Sequence, residues 1–344
     1  MFRTSLPLLI TLFALSLITI PIQAQPLTEF KVPERPEGII EGPGSTVFVS
    51  QILSGKVLSI DVTTGETTEV IGEQSEEGRQ AWGLWYHELD DQGYLWVAGG
   101  GPNFGNGQPQ VYLYHVETGN SIVACSPPSV NETGHGVFIN DVAVLDGTAY
   151  VTDSFSARIM AVDVLEAMEG NCNVTEIFLP NEFIPQHSED WGTNGIVPLE
   201  LGGFKGLLLS NEIDGTVFAM QLTEEGLPIY QKILGNSAAL GADGLAVLDD
   251  QLYVTQNTQN RIAVYNMTAD DNGAIYIDRM GFLTSPDYDT PATSALSNGY
   301  VYSTNSRFVQ LPDIAAEADN NIIGVVNTFC CDGEGMDEVS MSHI

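Results

Sequence analysis

Glu37, Asn140, Asn194 and Asp243 each open a short motif of one kind: a polar residue, usually a Gly, then an apolar run. The motifs read EGII (37–40), NDVAV (140–144), NGIV (194–197) and DGLAV (243–247). Two carboxylates and two amide oxygens are donor types that a hard cation such as Ca²⁺ takes, at about 2.3–2.6 Å and with waters in the remaining positions. The two acids also balance a +2 charge. Burying both at one point without a cation would be costly, because like charges raise each other's pKa. The Gly after Glu37, Asn194 and Asp243 lets backbones crowd together or adopt a dihedral that other residues avoid. The competing reading is that Asn-Gly and Asp-Gly are simple turn pairs. One such pair would carry little weight; four donors in register with a repeat carry more.

The repeat decides what positions these residues. Two further starts, WGLW (82–85) and a weaker ATSAL (292–296), place six motifs roughly 45 to 58 residues apart, the spacing of a four-stranded propeller blade. Each start is followed by a second strand, as in TVFVS (46–50), YVTD (150–153) and LYVTQN (252–257). A third follows, as in KVLSIDV (56–62) and RIMAVDV (158–164). Shorter fourth strands follow these, such as SIVAC (121–125) and VTEIF (174–178). These runs are β-branched and aromatic with partial two-residue alternation, and Gly, Asn and Asp separate them. Only DVLEAMEG (163–170) suits a helix, of one turn. The fold class is therefore all-β, a six-bladed β-propeller. The sixth unit lacks an outer strand, and LTEFKV (27–32) supplies it, closing the ring and removing a free sheet edge. Because the first strand of each blade lines the central channel, the blade starts converge on one axis. That ring presents Glu37, Trp82, Asn140, Asn194, Asp243 and a Thr near 290–293.

Charge and targeting signals narrow the class. Eleven Lys and Arg stand against 45 Asp and Glu, a net charge of −34. Nothing here neutralises phosphates, so nucleic acid is excluded as a partner, and cations are favoured over anions. Arg3, the apolar run at 6–20, Pro21 and Ala24 read as a secretory signal over 1–24. An uncleaved anchor is the alternative, but the run is shorter than the ~18 residues of a span. The propeller then occupies 25–330 and a disordered acidic tail 331–344. After signal removal no membrane contact is expected, and the protein is a secreted monomer. Sequons at Asn131, Asn173 and Asn266 are candidate glycan sites. Cys125 and Cys172 flank matching strands of consecutive repeats and are paired as a disulfide. Cys330 and Cys331 lack the C-x-x-C spacing of a zinc site and are left unassigned.

The motifs PEGII, FINDVAV, TNGIV and ADGLAV resemble the blade starts of the senescence marker protein/gluconolactonase (regucalcin-like) family, across 37 to about 327. That resemblance implies a propeller with one Ca²⁺ on its axis, other divalent cations being accepted by the same donors. It places Glu37, Asn140, Asn194 and Asp243 as ligands and Asp243 nearest the chemistry. Two departures leave the substrate open. Sugar-lactonase members hold substrate with an Arg and an Asn near the second blade, where this chain has Trp82 and Trp85. Phosphotriesterase-type members have a His at the sixth blade start, where this chain reads DTPATSAL (289–296).

Long segments between strands would wall a mouth above the ion. Two of them carry His135 and His187, which are acid–base candidates at neutral pH or merely exposed polar residues. Trp82, Trp85 and Trp191 either line a substrate pocket or fill space between blades. The function expected is a secreted calcium-dependent hydrolase of a small-molecule lactone or related ester. In it the metal polarises the carbonyl and a carboxylate, Asp243, assists water attack. The alternatives are a non-catalytic calcium-binding propeller that binds a small ligand or protein partner, and a lyase or synthase of the related strictosidine-synthase group.

Overall fold

The computed structural model describes residues 28–74, 77–101, 108–128, 136–180, 183, 191–223, 226–234, 238–308 and 320–329. The expectations for 1–24, 331–344, Asn131, His135, His187, Cys330 and Cys331 lie outside the described residues.

After β1 (Glu29–Lys31) the chain builds four-stranded antiparallel sheets in sequence order. Blade 1 holds β2 (Pro36–Glu41), β3 (Thr46–Gln51), β4 (Val57–Asp61) and β5 (Thr67–Ile71). Blade 2 holds β6 (Leu84–Leu89), β7 (Gln92–Ala98), β8 (Val111–His115) and β9 (Ser121–Cys125). Blade 3 holds β10 (Ile139–Leu145), β11 (Thr148–Asp153), β12 (Arg158–Asp163) and β13 (Val174–Phe178), with the single-turn helix α1 (Val164–Met168) before its last strand. Blade 4 holds β14 (Thr193–Leu201), β15 (Phe204–Asn211), β16 (Thr216–Leu222) and β17 (Pro228–Leu234). Blade 5 holds β18 (Ala242–Leu248), β19 (Gln251–Gln256), β20 (Arg261–Ala269) and β21 (Ile275–Thr284). Blade 6 holds β22 (Pro291–Ser297), β23 (Tyr300–Asn305) and β24 (Asn321–Val326), and β1 is its outermost strand. The innermost strands touch in the order β2, β6, β10, β14, β18, β22, and β22 returns to β2. The protein is a closed six-bladed β-propeller.

Strand alternation explains the core. Successive residues of a strand point to opposite faces, and here each face meets a different blade. In β3, Val47 and Val49 pack with Ala295 and Tyr302 of blade 6. Phe48 between them packs with Leu84 and Leu95 of blade 2. The described buried apolar side chains fall into six clusters, one at each junction between blades. Strands buried on both faces read as apolar runs, which is why the alternation in the sequence is only partial.

Closure uses β1 as expected, over Glu29–Lys31 rather than the whole of 27–32. It pairs antiparallel with β24, and Phe30 is buried with its ring 5.9 Å from that of Tyr302. Cys125 and Cys172 form a disulfide, with Cα atoms 5.6 Å apart, tying the end of β9 to the segment between α1 and β13. Among the described residues no helix is long and apolar enough to cross a membrane.

Candidate functional site

Five of the six innermost strands share an irregularity that aims their side chains at the axis, and β6 pairs with β7 without it. In β2 the pairing register slips between Pro36 and Ile39, and the same slip occurs in β10, β14, β18 and β22. Such a bulge bends a strand and re-aims a side chain. Its residues here are Glu37-Gly38, Asn140-Asp141, Asn194-Gly195, Asp243-Gly244 and Ala292-Thr293. The glycines answer to crowding. A Cβ on Gly38 would stand 2.3 Å from the Trp82 carbonyl oxygen, and one on Gly195 2.5 Å from that of Asp243.

Each bulged donor is also held by its main chain. Thr304 Oγ1 donates to the Glu37 carbonyl at 2.6 Å, Thr152 Oγ1 to that of Asn194 at 2.8 Å, and Ser210 Oγ to that of Asp243 at 2.8 Å. Blade 2 has Ala98 at the corresponding position, and there the Gly83 N–H donates to the Asn140 carbonyl at 2.9 Å. Ser210 Oγ also accepts from Gly195 N at 2.7 Å. The second strand of one blade thus fixes the donor of the next.

Glu37, Asn140, Asn194 and Asp243 line one cavity of about 280 Å³, together with Trp82, Trp191, Glu212, Asn257 and Thr290. The amides direct their N–H groups into the protein. Asn140 Nδ2 donates to Ser154 Oγ at 2.8 Å, and Asn194 Nδ2 to Glu212 Oε2 at 2.7 Å. Asn257 Nδ2 donates to both Glu212 Oε1 (3.1 Å) and Asp243 Oδ2 (3.0 Å). Among the four donors, two oxygens remain buried without a partner, Glu37 Oε2 and Asn140 Oδ1. Burial, then the charges of Asp141 and Glu212, hold the Glu37 carboxyl well above the usual carboxylate range. Burial, then Glu212 and Glu37, do the same to Asp243. Burial raises Glu212 against the lowering effect of its two amide donors. Three acids on one cavity, with orphaned acceptors and no cationic side chain on the described lining, fit a hard cation. Among the described residues no three His, Cys, Asp or Glu side chains form a metal-holding group by themselves. The amide oxygens of Asn140 and Asn194 are therefore necessary members of such a site.

Beyond the bulges the axis narrows to about 80 Å³, lined by residues just after the donors, including Glu41, Asp141, Trp85 and Thr293. Burial pushes the Asp141 carboxyl up to about 7. Its oxygens accept from Ile196 N (3.1 Å) and Val142 N (2.8 Å), so it braces two inner strands. Trp85 belongs to this end and packs between blades, apart from the donor cavity. The blade-6 threonine at the cavity is Thr290; Thr293 sits in the bulge and faces the lower channel. Of the sequons, Asn173 is exposed, whereas Asn266 is half-buried within β20. Sequence reasoning missed Glu212, Asn257, Thr258 and Phe308 as cavity residues. The signal for the first two was present. Each stands two residues after the second-strand hydroxyl, Ser210 or Thr255, where blade 3 has Ser154 and blade 6 Ser306.

No protein-family model matches the chain, and no curated protein matches it by sequence. Solved structures do resemble it. Regucalcin from Agrobacterium tumefaciens, described as a calcium-binding protein, is 14% identical with a TM-score of 0.58, over 88% of this chain and 93% of that one. The Malassezia sympodialis allergen Mala s 1 is 15% identical with a TM-score of 0.60, over 88% and 97%. Virginiamycin B lyase from Staphylococcus aureus is 13% identical with a TM-score of 0.51, over 88% and 98%. At these identities the likeness is one of fold.

Proposed function

We propose that this protein is a secreted, calcium-dependent hydrolase of a lactone or related ester. The observation that carries the reading is the pair of partnerless buried acceptors, Glu37 Oε2 and Asn140 Oδ1, in the cavity that also holds Asp243. An unmade buried hydrogen bond costs about 1–3 kcal/mol, and a cation held there would satisfy both oxygens. Glu37, Asn140, Asn194 and Asp243 would hold it. When bound, it supplies Lewis-acid polarisation of a carbonyl and stabilises the charge that develops on its oxygen.

The chain's own groups do the rest. Asn257 fixes Oδ2 of Asp243, which orients the carboxylate so that its other oxygen takes the proton of an attacking water. Glu212 holds the Asn194 amide, presenting that side chain's carbonyl oxygen to the cation. Trp82 and Trp191 form a wall that limits water to the reacting position. The likeness to propellers described as calcium-binding and as a lyase supports a propeller that does chemistry, and the disulfide supports an oxidising compartment. The gathering of three acids on one cavity also favours a second reading, in which calcium only stabilises the ring around a ligand or partner site.

Calorimetric titration with calcium, paired with hydrolysis assays on lactones and aryl esters with and without chelator, separates the two. One equivalent of calcium should bind, and turnover should vanish with chelator and in Asp243→Asn. Full turnover in chelator would sink the hydrolase reading as stated. Calcium-dependent melting with no turnover on any ester would favour the stabilising ion.

A further inference from the structure

Thr290 occupies a backbone conformation that its side chain resists. Its φ is +48°, a left-handed value at which a β-branched residue is a genuine outlier. The conformation is enforced from both sides. Thr290 N donates to Asn260 Oδ1 at 2.8 Å, and the Thr290 carbonyl accepts from Ser306 N at 3.1 Å. The residue is 4% exposed and lines the donor cavity, and its Oγ1 has no hydrogen-bond partner. Strain of this kind, about 1–3 kcal/mol, persists where surrounding structure imposes it, and it gathers at ligand-binding positions.

The wall beside it is apolar and stiff. Trp82 directs its indole N–H to Gln80 Oε1 at 3.1 Å and stacks on Phe308, ring centroids 6.2 Å apart and planes within 6°. Trp191 meets Phe138 edge-on at 4.7 Å. No Lys, Arg or His stands among the described lining residues. The carboxylates and amides at the base are engaged with one another or face the cation position. A ligand's body therefore meets, on the described lining, aromatic surface, Thr258 and the partnerless Thr290 hydroxyl.

Resting on the hydrolase reading, we propose that the site takes uncharged aryl or alkyl lactones and esters, and that the Thr290 hydroxyl donates to the ligand's second oxygen. The ester oxygen accepts from Thr290, and the carbonyl oxygen would be left to the cation that Glu37, Asn140, Asn194 and Asp243 would hold. A sugar lactone would bury several hydroxyls against rings without partners, at about 1–3 kcal/mol for each unmet group. An anionic ligand would face Glu37, Glu212 and Asp243 with no cationic side chain among the described lining residues to receive it.

The test uses hydrolysis-resistant probes on the full calcium-loaded chain, with binding read by quenching of tryptophan fluorescence. The probes are 2-benzoxazolinone, its ring-carboxylated derivative and gluconolactam. Neutral benzoxazolinone should bind at least about tenfold tighter than the other two. Thr290→Val should weaken it by up to about tenfold, the worth of one hydrogen bond, while Thr290→Ser restores it and both variants keep the wild-type calcium affinity. Tighter binding of gluconolactam or the carboxylate, no saturable quenching by any probe, or an unchanged affinity in Thr290→Val would overturn the proposal. Turnover of dihydrocoumarin and gluconolactone is followed in parallel. Benzoxazolinone binding without hydrolysis of either lactone upholds the ligand class and removes the hydrolase. Hydrolysis of gluconolactone alone does the reverse.

Discussion

The side-chain amide of Asn257 lies between two acids, the buried Asp243 and the half-buried Glu212, its Nδ2 3.0 Å from Asp243 Oδ2 and 3.1 Å from Glu212 Oε1. One uncharged group thus donates to two carboxylates that repel each other. It lowers the energy of the ionised pair and fixes which oxygen of Asp243 faces inward. Asn257→Leu removes both donations while roughly keeping volume. The expected result is a metal-free protein less stable by about 1–3 kcal/mol at neutral pH, seen as a lower midpoint in urea unfolding. Saturating calcium should recover part of that loss, since the cation stabilises the same carboxylates. An unchanged midpoint would show that the amide does not brace the acids.

Glu212 makes a sharper demand. Its two oxygens accept from Asn194 and Asn257. In Glu212→Gln one of those acceptors becomes an N–H₂ group facing another N–H₂, so one asparagine has to turn. If Asn194 turns, the carbonyl oxygen offered to the cation is withdrawn. Calcium affinity should fall by about tenfold or more, the scale of loss seen when a metal ligand's supporting partner is replaced. Far-ultraviolet circular dichroism should stay unchanged. Calorimetry that returns wild-type affinity would count Glu212 as packing alone.

How these residues appear in the sequence explains why some were found and others missed. The inner-strand motifs are legible because every blade places them beside the axis, so Glu37, Asn140, Asn194 and Asp243 recur with the blade period. Glu212 and Asn257 recur with it too, but their sequence context is the end of an apolar second strand. Only the antiparallel pairing of β14 with β15 and of β18 with β19 brings them back to the donors. The bulges are invisible in one strand read alone, since an extra residue is counted against a partner. For the same reason Thr290 and Thr293 look interchangeable in DTPATSAL until the slip between Pro291 and Ser294 sends them to different ends of the channel. The left-handed φ of Thr290 leaves no trace at all in a residue type that avoids it.

Proton and metal should compete for the cavity. Glu37, Glu212 and Asp243 all have folded pKa values raised above their ordinary values of 4.5, 4.5 and 3.8. A carboxyl raised in this way favours the folded state fully below its unfolded pKa, and that contribution is lost as pH rises through the folded value. In chelator, Asp243→Asn lacks one of these titrations. The melting temperature of the variant minus that of the wild type should therefore grow from about pH 4 upward. With calcium present the order reverses at neutral pH, because the wild type holds the ion better. A difference independent of pH in chelator would mean that the Asp243 carboxyl is not raised by its surroundings.

Thr290 offers a test in which stability and binding move in opposite directions. Glycine adopts positive φ without the side-chain penalty, so Thr290→Gly relieves the imposed conformation and removes the hydroxyl together. The hydrogen bonds from Thr290 N to Asn260 and from Ser306 N to the Thr290 carbonyl use main-chain atoms and survive the change. The net gain should be about 1 kcal/mol, the strain released less the greater chain entropy that glycine gives the unfolded state. It would appear as a higher unfolding midpoint. Binding of 2-benzoxazolinone should weaken over the same substitution. A residue kept only for packing would lose stability when truncated to glycine and leave ligand affinity alone, so a lower midpoint with unchanged binding would assign Thr290 to the scaffold.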